Sequence, residues 1–197
     1  MIPIQHAGLL FCGALAVLFL ATWLMGKQER FFFTKDPLKR KFNMLEMEFP
    51  GKSYDLEYLI EGIYQLPHDA KRTIRSIRRQ LALDYLLFIP SAYGGIFILS
   101  MHVAANIPFT KAQHLFVAMA WAQVIPFVLD YIENTYFWIK VGKKDQGIPK
   151  PDISDDAPVS TSFIFLKWLE MFKWGIPLVS FITCISVMAY FWLTGNF

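Results

Sequence analysis

Phe127-Val-Leu-Asp-Tyr-Ile-Glu-Asn-Thr-Tyr-Phe-Trp138 decides how the chain is read. A long apolar run leads into it, and two carboxylates and an amide, Asp130, Glu133 and Asn134, then arrive together. About 20 residues of helix cross a hydrocarbon core, and that count from Ala112 ends at Tyr131. The three polar groups therefore belong at a membrane boundary, not at its centre. Tyr131, Tyr136 and Trp138 supply the aromatic belt of that level. Gln123, Asp130 and Asn134 form one polar stripe along the helix.

The composition around this stretch agrees. Of 197 residues, 55% are hydrophobic, 17% aromatic and 18% charged, and the net charge is +3. Soluble domains carry about 25% charged residues. Apolar runs at about 7–25, 81–104, 112–138 and 174–193 are each long enough to cross a bilayer. Nothing basic precedes the first run, while Lys27 and Arg30 follow it at once. It is therefore expected to be a retained span with its N-terminus outside, not a signal peptide. Lys and Arg gather in segments 26–80 and 140–161, which places both in the cytoplasm. Both termini are then outside. The expectation is an all-α, four-helix integral membrane bundle forming a single domain in a bacterial inner membrane, with a helical cytoplasmic segment between spans one and two. Phe31, Phe32 and Phe33 are expected at the headgroup level, and Phe163–Lys173 as an amphipathic interfacial stretch ahead of the last span.

Small residues mark the packing faces. Ala7, Ala14 and Ala21 recur every seven residues on the first span. On the second, Asp84, Ser91, Gly95 and His102 fall within roughly 20° of one line, which must turn toward protein because lipid offers no partners. Pro90 bends that helix. The turn Asn106-Ile-Pro-Phe-Thr110 joins spans two and three, so Asp84 shares a boundary with Asp130 and Glu133. A charge at mid-helix costs about 2.5–3.5 kcal/mol on insertion scales, so these carboxylates need partners. Gln80, one turn before Asp84, is placed to hydrogen-bond it. Arg78 or Arg79 is placed to reach Asp130 or Glu133. Two roles stay open: an interhelical clamp that sets register, or a proton or ion relay and polar pocket.

Other chemistry is sparse. His6, His102 and His114 lie at the outer ends of their helices and are the only candidate metal or haem ligands. Their spacing matches no ligand pattern, so neither metal nor cofactor is expected. Cys12 and Cys184 read as small buried apolar side chains without a disulfide framework. Phe49-Pro-Gly-Lys-Ser53 mimics the end of a phosphate loop, but Glu46 stands where its glycine is required. No nucleophile–base pattern or dinucleotide fingerprint is present. The basic run Lys71–Arg79 sets topology and meets anionic lipid headgroups, and no nucleic-acid partner is expected.

Three stretches together resemble a family of small, uncharacterised bacterial four-helix integral membrane proteins. They are Met44-Leu-Glu-Met-Glu-Phe-Pro-Gly51, Leu83-Asp-Tyr-Leu-Leu-Phe-Ile-Pro-Ser-Ala-Tyr93 and the Leu-Asp-Tyr-Ile-Glu-Asn element at Leu129–Asn134. The resemblance covers about residues 40–140, and Pro50 departs from it where the family has a small residue. It implies the four-span topology and the importance of Asp84, Asp130, Glu133 and Asn134, without a reaction. The functional expectation is a non-catalytic accessory or scaffolding subunit of a larger membrane complex, with lipids and other membrane subunits as partners. The alternative is a small proton- or ion-coupled transport protein using Asp84, Asp130 and Glu133. A lipid-modifying enzyme ranks third, for want of a nucleophile or metal at that boundary.

Overall fold

The computed structural model describes residues 6–35, 38–49, 51, 55–142 and 161–194, without the side chains of 161–167 and 169. Helices dominate: α1 (Ala7–Glu29), α2 (Met44–Glu48), α3 (Asp55–Tyr64), α4 (Ala70–Leu83), α5 (Ile89–Asn106), α6 (Thr110–Ala122), α7 (Val124–Gly142) and α8 (Thr161–Leu193). A π-helical turn, Asp84–Phe88, joins α4 to α5. Four helical stretches are long and apolar enough to cross a membrane: Ala7–Glu29, Ala70–Asn106, Thr110–Gly142 and Glu170–Leu193. The basic loop lysines Lys143, Lys144 and Lys150, the acidic Asp152, Asp155 and Asp156, and Pro50 lie outside the described residues.

One proline explains a departure from an uninterrupted span, and a second is absorbed without one. Pro126 clashes with the carbonyl four residues back, at Ala122, and the third span breaks at Gln123 into α6 and α7. Buried Gln123 stitches the break, donating from Nε2 to the Met119 carbonyl at 3.1 Å and to Ser180 Oγ at 2.9 Å. Pro177 lies inside α8, which runs on as one helix from Thr161. The expected interfacial stretch, Phe163–Lys173, and the last span are therefore one continuous helix.

The chain divides into two compact units. The first joins Met1–Thr22, Tyr85–Ile132 and Met171–Phe197. Its core holds Leu99, Val103, Ile107, Phe116 and Cys184, with Phe11 and Met119 against it. Ala7 and Ala21 are the buried residues of α1, and a Cβ on Gly95 would stand 3.3 Å from that of Ala14. The alanine stripe thus meets α5 at Ala14. Much of α1 is exposed among the described residues: Leu9 is 74% exposed and Phe19 71%. Cys12 shares that open surface, correcting the expectation of a buried thiol, whereas Cys184 is buried 3.3 Å from Ser100 Oγ.

The second unit joins Trp23–Asp84 and Glu133–Glu170. The polar segment between the first two spans has a real core: Phe32, Phe42, Met44, Met47, Leu56, Leu59, Ile60, Ile63, Ile77 and Leu81, closed by Phe137 and Val141 of α7. It is not wholly helical. Strands β1 (Phe33–Lys35) and β2 (Lys39–Lys41) pair antiparallel, with Thr34 opposite Arg40. Phe32 is therefore fully buried, not at a headgroup level, because the extended backbone turns alternate side chains inward. Buried Thr34 donates from Oγ1 to the Leu59 carbonyl at 2.9 Å and pins β1 to α3. Asn43 and Glu46 form a capping box on α2. Lys39 pairs with Asp69 just ahead of α4, and that hydrogen bond holds the Asp69 carboxyl below its usual range.

Candidate functional site

Pro90 organises the polar face of the second span. It lacks an N–H, and its ring presses on the carbonyl one turn back. The helix widens instead: Asp84–Phe88 take the π spacing, in which N–H groups reach carbonyls five residues back. At that spacing the donor for the Tyr85 carbonyl would come from residue 90, which has none. Tyr131 Oη fills the role at 3.0 Å. The bond is returned, since Tyr85 Oη donates to the Tyr131 carbonyl at 3.1 Å. The two rings meet edge-on, with centroids 4.9 Å apart. Ser91 Oγ serves the same widened turn, donating to the Leu87 and Phe88 carbonyls at 2.5 and 3.0 Å.

The two tyrosines are not equivalent. Tyr131→Phe strips a carbonyl of the donor that proline denies it and is expected to cost about 1–3 kcal/mol. Tyr85→Phe removes only a second bond to a carbonyl inside a regular helix, at about 0.5–1.5 kcal/mol. Unfolding of both variants in one mild detergent checks the order; equal losses would refute the account of the π turn.

Asp130 stands at the centre of the first unit's polar contacts. Lys173 Nζ of α8 lies 3.0 Å from Oδ1, and Tyr93 Oη of α5 donates to Oδ2. The lysine side chain is 3% exposed and the aspartate 13%. Each carboxylate oxygen thus has its own donor, and α5, α7 and α8 are tied at one point. Pro177, four residues after Lys173, also deprives the Lys173 carbonyl of its helical donor. The cation on Asp130 is therefore Lys173, where Arg78 or Arg79 was expected. Lys173 looked like a boundary lysine, but the unbroken α8 carries it into the packed unit.

In the second unit, Asn134 Nδ2 donates to Asp84 Oδ2, so these two predicted residues do meet. Gln80 does not turn to Asp84 as expected. It lies on the buried face of α4, and its Nε2 reaches Glu29 Oε1 at 3.2 Å. Glu133 lies one position before Asn134 on α7, half-buried. Arg78 packs its guanidinium 5.7 Å from the Trp138 ring centroid. Arg79 is exposed and has no ion pair among the described residues. Tyr64 donates to the Val141 carbonyl at 2.7 Å; burial raises its hydroxyl pKa, against the opposing pull of Arg78.

His6 and His114 are exposed, and His102 is half-buried with Asn106 bonded to its carbonyl at 2.8 Å. Among the described residues, no three His, Cys, Asp or Glu side chains are grouped to hold a metal. The residues that sequence reasoning missed are Lys173, Tyr93 and the reciprocal pair Tyr85–Tyr131. A signal existed for two of them: Lys173 has proline four residues on, and both tyrosines of the pair directly follow an aspartate; Tyr93 carried none. No family model, curated protein or solved structure matches the chain.

Proposed function

We propose that this protein is a non-catalytic accessory or scaffolding subunit of a larger bacterial inner-membrane assembly. The observation that carries the proposal is the closed joint at Asp130, where Lys173 and Tyr93 occupy both carboxylate oxygens. An acid held in this way is suited to fixing helices. The exposed apolar faces of α1, with Leu9 and Phe19, support the same reading, since Ala14 packs on Gly95 of α5 while Gly8 and Gly13 face open space that partner helices or lipid can fill. The proposal includes both termini outside, segments 26–80 and 140–161 in the cytoplasm, and membership of the small four-helix family that Leu129–Asn134 resembles.

Native mass spectrometry of the protein, gently extracted from its own membrane, tests it. Companion polypeptides at one constant ratio are expected. A protein found solely as a lone chain, in mild detergent and in native lipid alike, would overturn the proposal. The second reading, proton- or ion-coupled transport, is favoured by one observation: a buried Asp–Lys–Tyr constellation in a candidate membrane helix is the kind of group on which relays depend. Asp130→Asn separates the two, because a relay loses flux while the protein still folds, whereas a joint loses stability.

A further inference from the structure

α4 has two opposed faces. Thr73, Ser76, Ile77, Gln80 and Leu81 are buried. Lys71, Arg75, Arg78 and Arg79 lie on the other face, and α4 contains no acid. These four cations, with Ala82 and with Trp138 of α7, line an open cleft of about 440 Å³. That volume falls within the roughly 300–1,000 Å³ of ligand clefts. Among the described residues, Lys71, Arg75 and Arg79 have no ion pair, and the buried Arg78 Nε has no hydrogen-bond partner. Like charges so close together repel one another unless an anion joins them.

The surroundings of the cleft say which anion fits. Ala82 and Trp138 belong to the two stretches Ala70–Asn106 and Thr110–Gly142, both long and apolar enough to cross a membrane. The cleft therefore lies where a basic helix passes into an apolar span, with a tryptophan at its rim, which is the chemistry of the headgroup layer. Arginine's planar fork suits phosphate oxygens. Gly142 makes room for one such fork: a Cβ there would stand 2.7 Å from Arg78 Nη2.

We propose that this cleft is a specific site for the phosphate of an anionic phospholipid, held by Arg75, Arg78 and Arg79, with its apolar chains along Ala82 and Trp138. The site does not depend on the subunit reading, and its test reads lipid, not companion proteins. The full chain in mild detergent is titrated with phosphatidylglycerol, with phosphatidylcholine and with inorganic phosphate, and adducts are counted by native mass spectrometry. Phosphatidylglycerol is expected to bind preferentially. Arg75→Gln/Arg79→Gln removes two exposed charges and is expected to weaken that binding by about thirtyfold. Lys35→Gln/Lys41→Gln removes as much charge from the β-hairpin and is expected to leave it nearly unchanged. Gly142→Ala, which crowds only the mobile end of Arg78, is expected to weaken lipid binding without lowering the melting temperature. Equal losses in the two double variants, or none in the arginine pair, would overturn the site. Binding of inorganic phosphate with no preference between the lipids would overturn the lipid and leave a soluble anion as the ligand.

Discussion

Lys173→Met is expected to destabilise the protein by about 3–5 kcal/mol, because it strands a buried carboxylate. Methionine matches the lysine stem in length and polarity, so packing along α8 is largely kept. What is lost is the ammonium 3.0 Å from Asp130 Oδ1. Tyr93 then remains on Oδ2, but one hydroxyl does not replace a charge at a site where Asp130 is only 13% exposed. Removing one partner of a buried pair costs far more than the pair is worth, since the desolvated survivor has no means of recovering its hydration.

The same logic orders the companion variants. Asp130→Asn is expected to cost less than Lys173→Met, because a lysine on a four-carbon stem can carry its charge toward water, whereas a short aspartate cannot. The double variant Asp130→Asn/Lys173→Met is expected to recover most of the loss, as neutral replacement of a buried pair is often close to neutral. Unfolding of all three in one mild detergent decides. A Lys173→Met variant as stable as the parent would mean that Asp130 needs no cation. A double variant no better than the single would show that the loss came from packing. Recovered stability together with lost ion flux would move the function toward the relay.

The cost of burying polar groups explains what could be read in advance. The four spans were legible because runs of about 20 apolar residues have no other comfortable environment. Asp130 and Asn134 stood out for the same reason, as polar groups inside such a run. Their partners were not legible. Asn134 meets Asp84 and Lys173 meets Asp130 across helices distant in sequence, and helical spacing constrains only residues on one helix. Pro90 announced a bend, but a kink and a π turn relieve the same clash, and only the folded backbone at Asp84–Phe88 shows which was taken. The hairpin was hidden in another way. Strands of three residues are too short to display a period of two, and Lys39-Arg40-Lys41 looks like a topology signal. The core of the second unit was readable in part, since Leu56, Leu59, Ile60 and Ile63 follow helical spacing, but the surrounding charge masked its extent.

That hairpin carries the second large prediction. Gly62→Ala should raise stability on propensity alone, by up to about 1 kcal/mol in a helix interior. Here it is expected to lower stability by about 1–3 kcal/mol, as overpacking does. Gly62 lies on the face of α3 that receives β1, and a Cβ there would stand 2.7 Å from the Lys35 carbonyl oxygen and 3.0 Å from its nitrogen. It would also run into Thr34 Oγ1. Two of these obstacles are backbone, so no rotamer change relieves them. Thr34 is itself fixed, fully buried and bonded to the Leu59 carbonyl at 2.9 Å, so a methyl group would break that bond or lift β1 from α3. Gly94→Ala on α5 is the control, since nothing lies within 4 Å of its added Cβ. Hydrogen exchange at the β1 amides, measured beside thermal unfolding, is expected to quicken in Gly62→Ala and not in Gly94→Ala. If both alanines stabilised alike, β1 would not be seated on α3 at Gly62, and the core that Phe32 enters would have to be closed by something else.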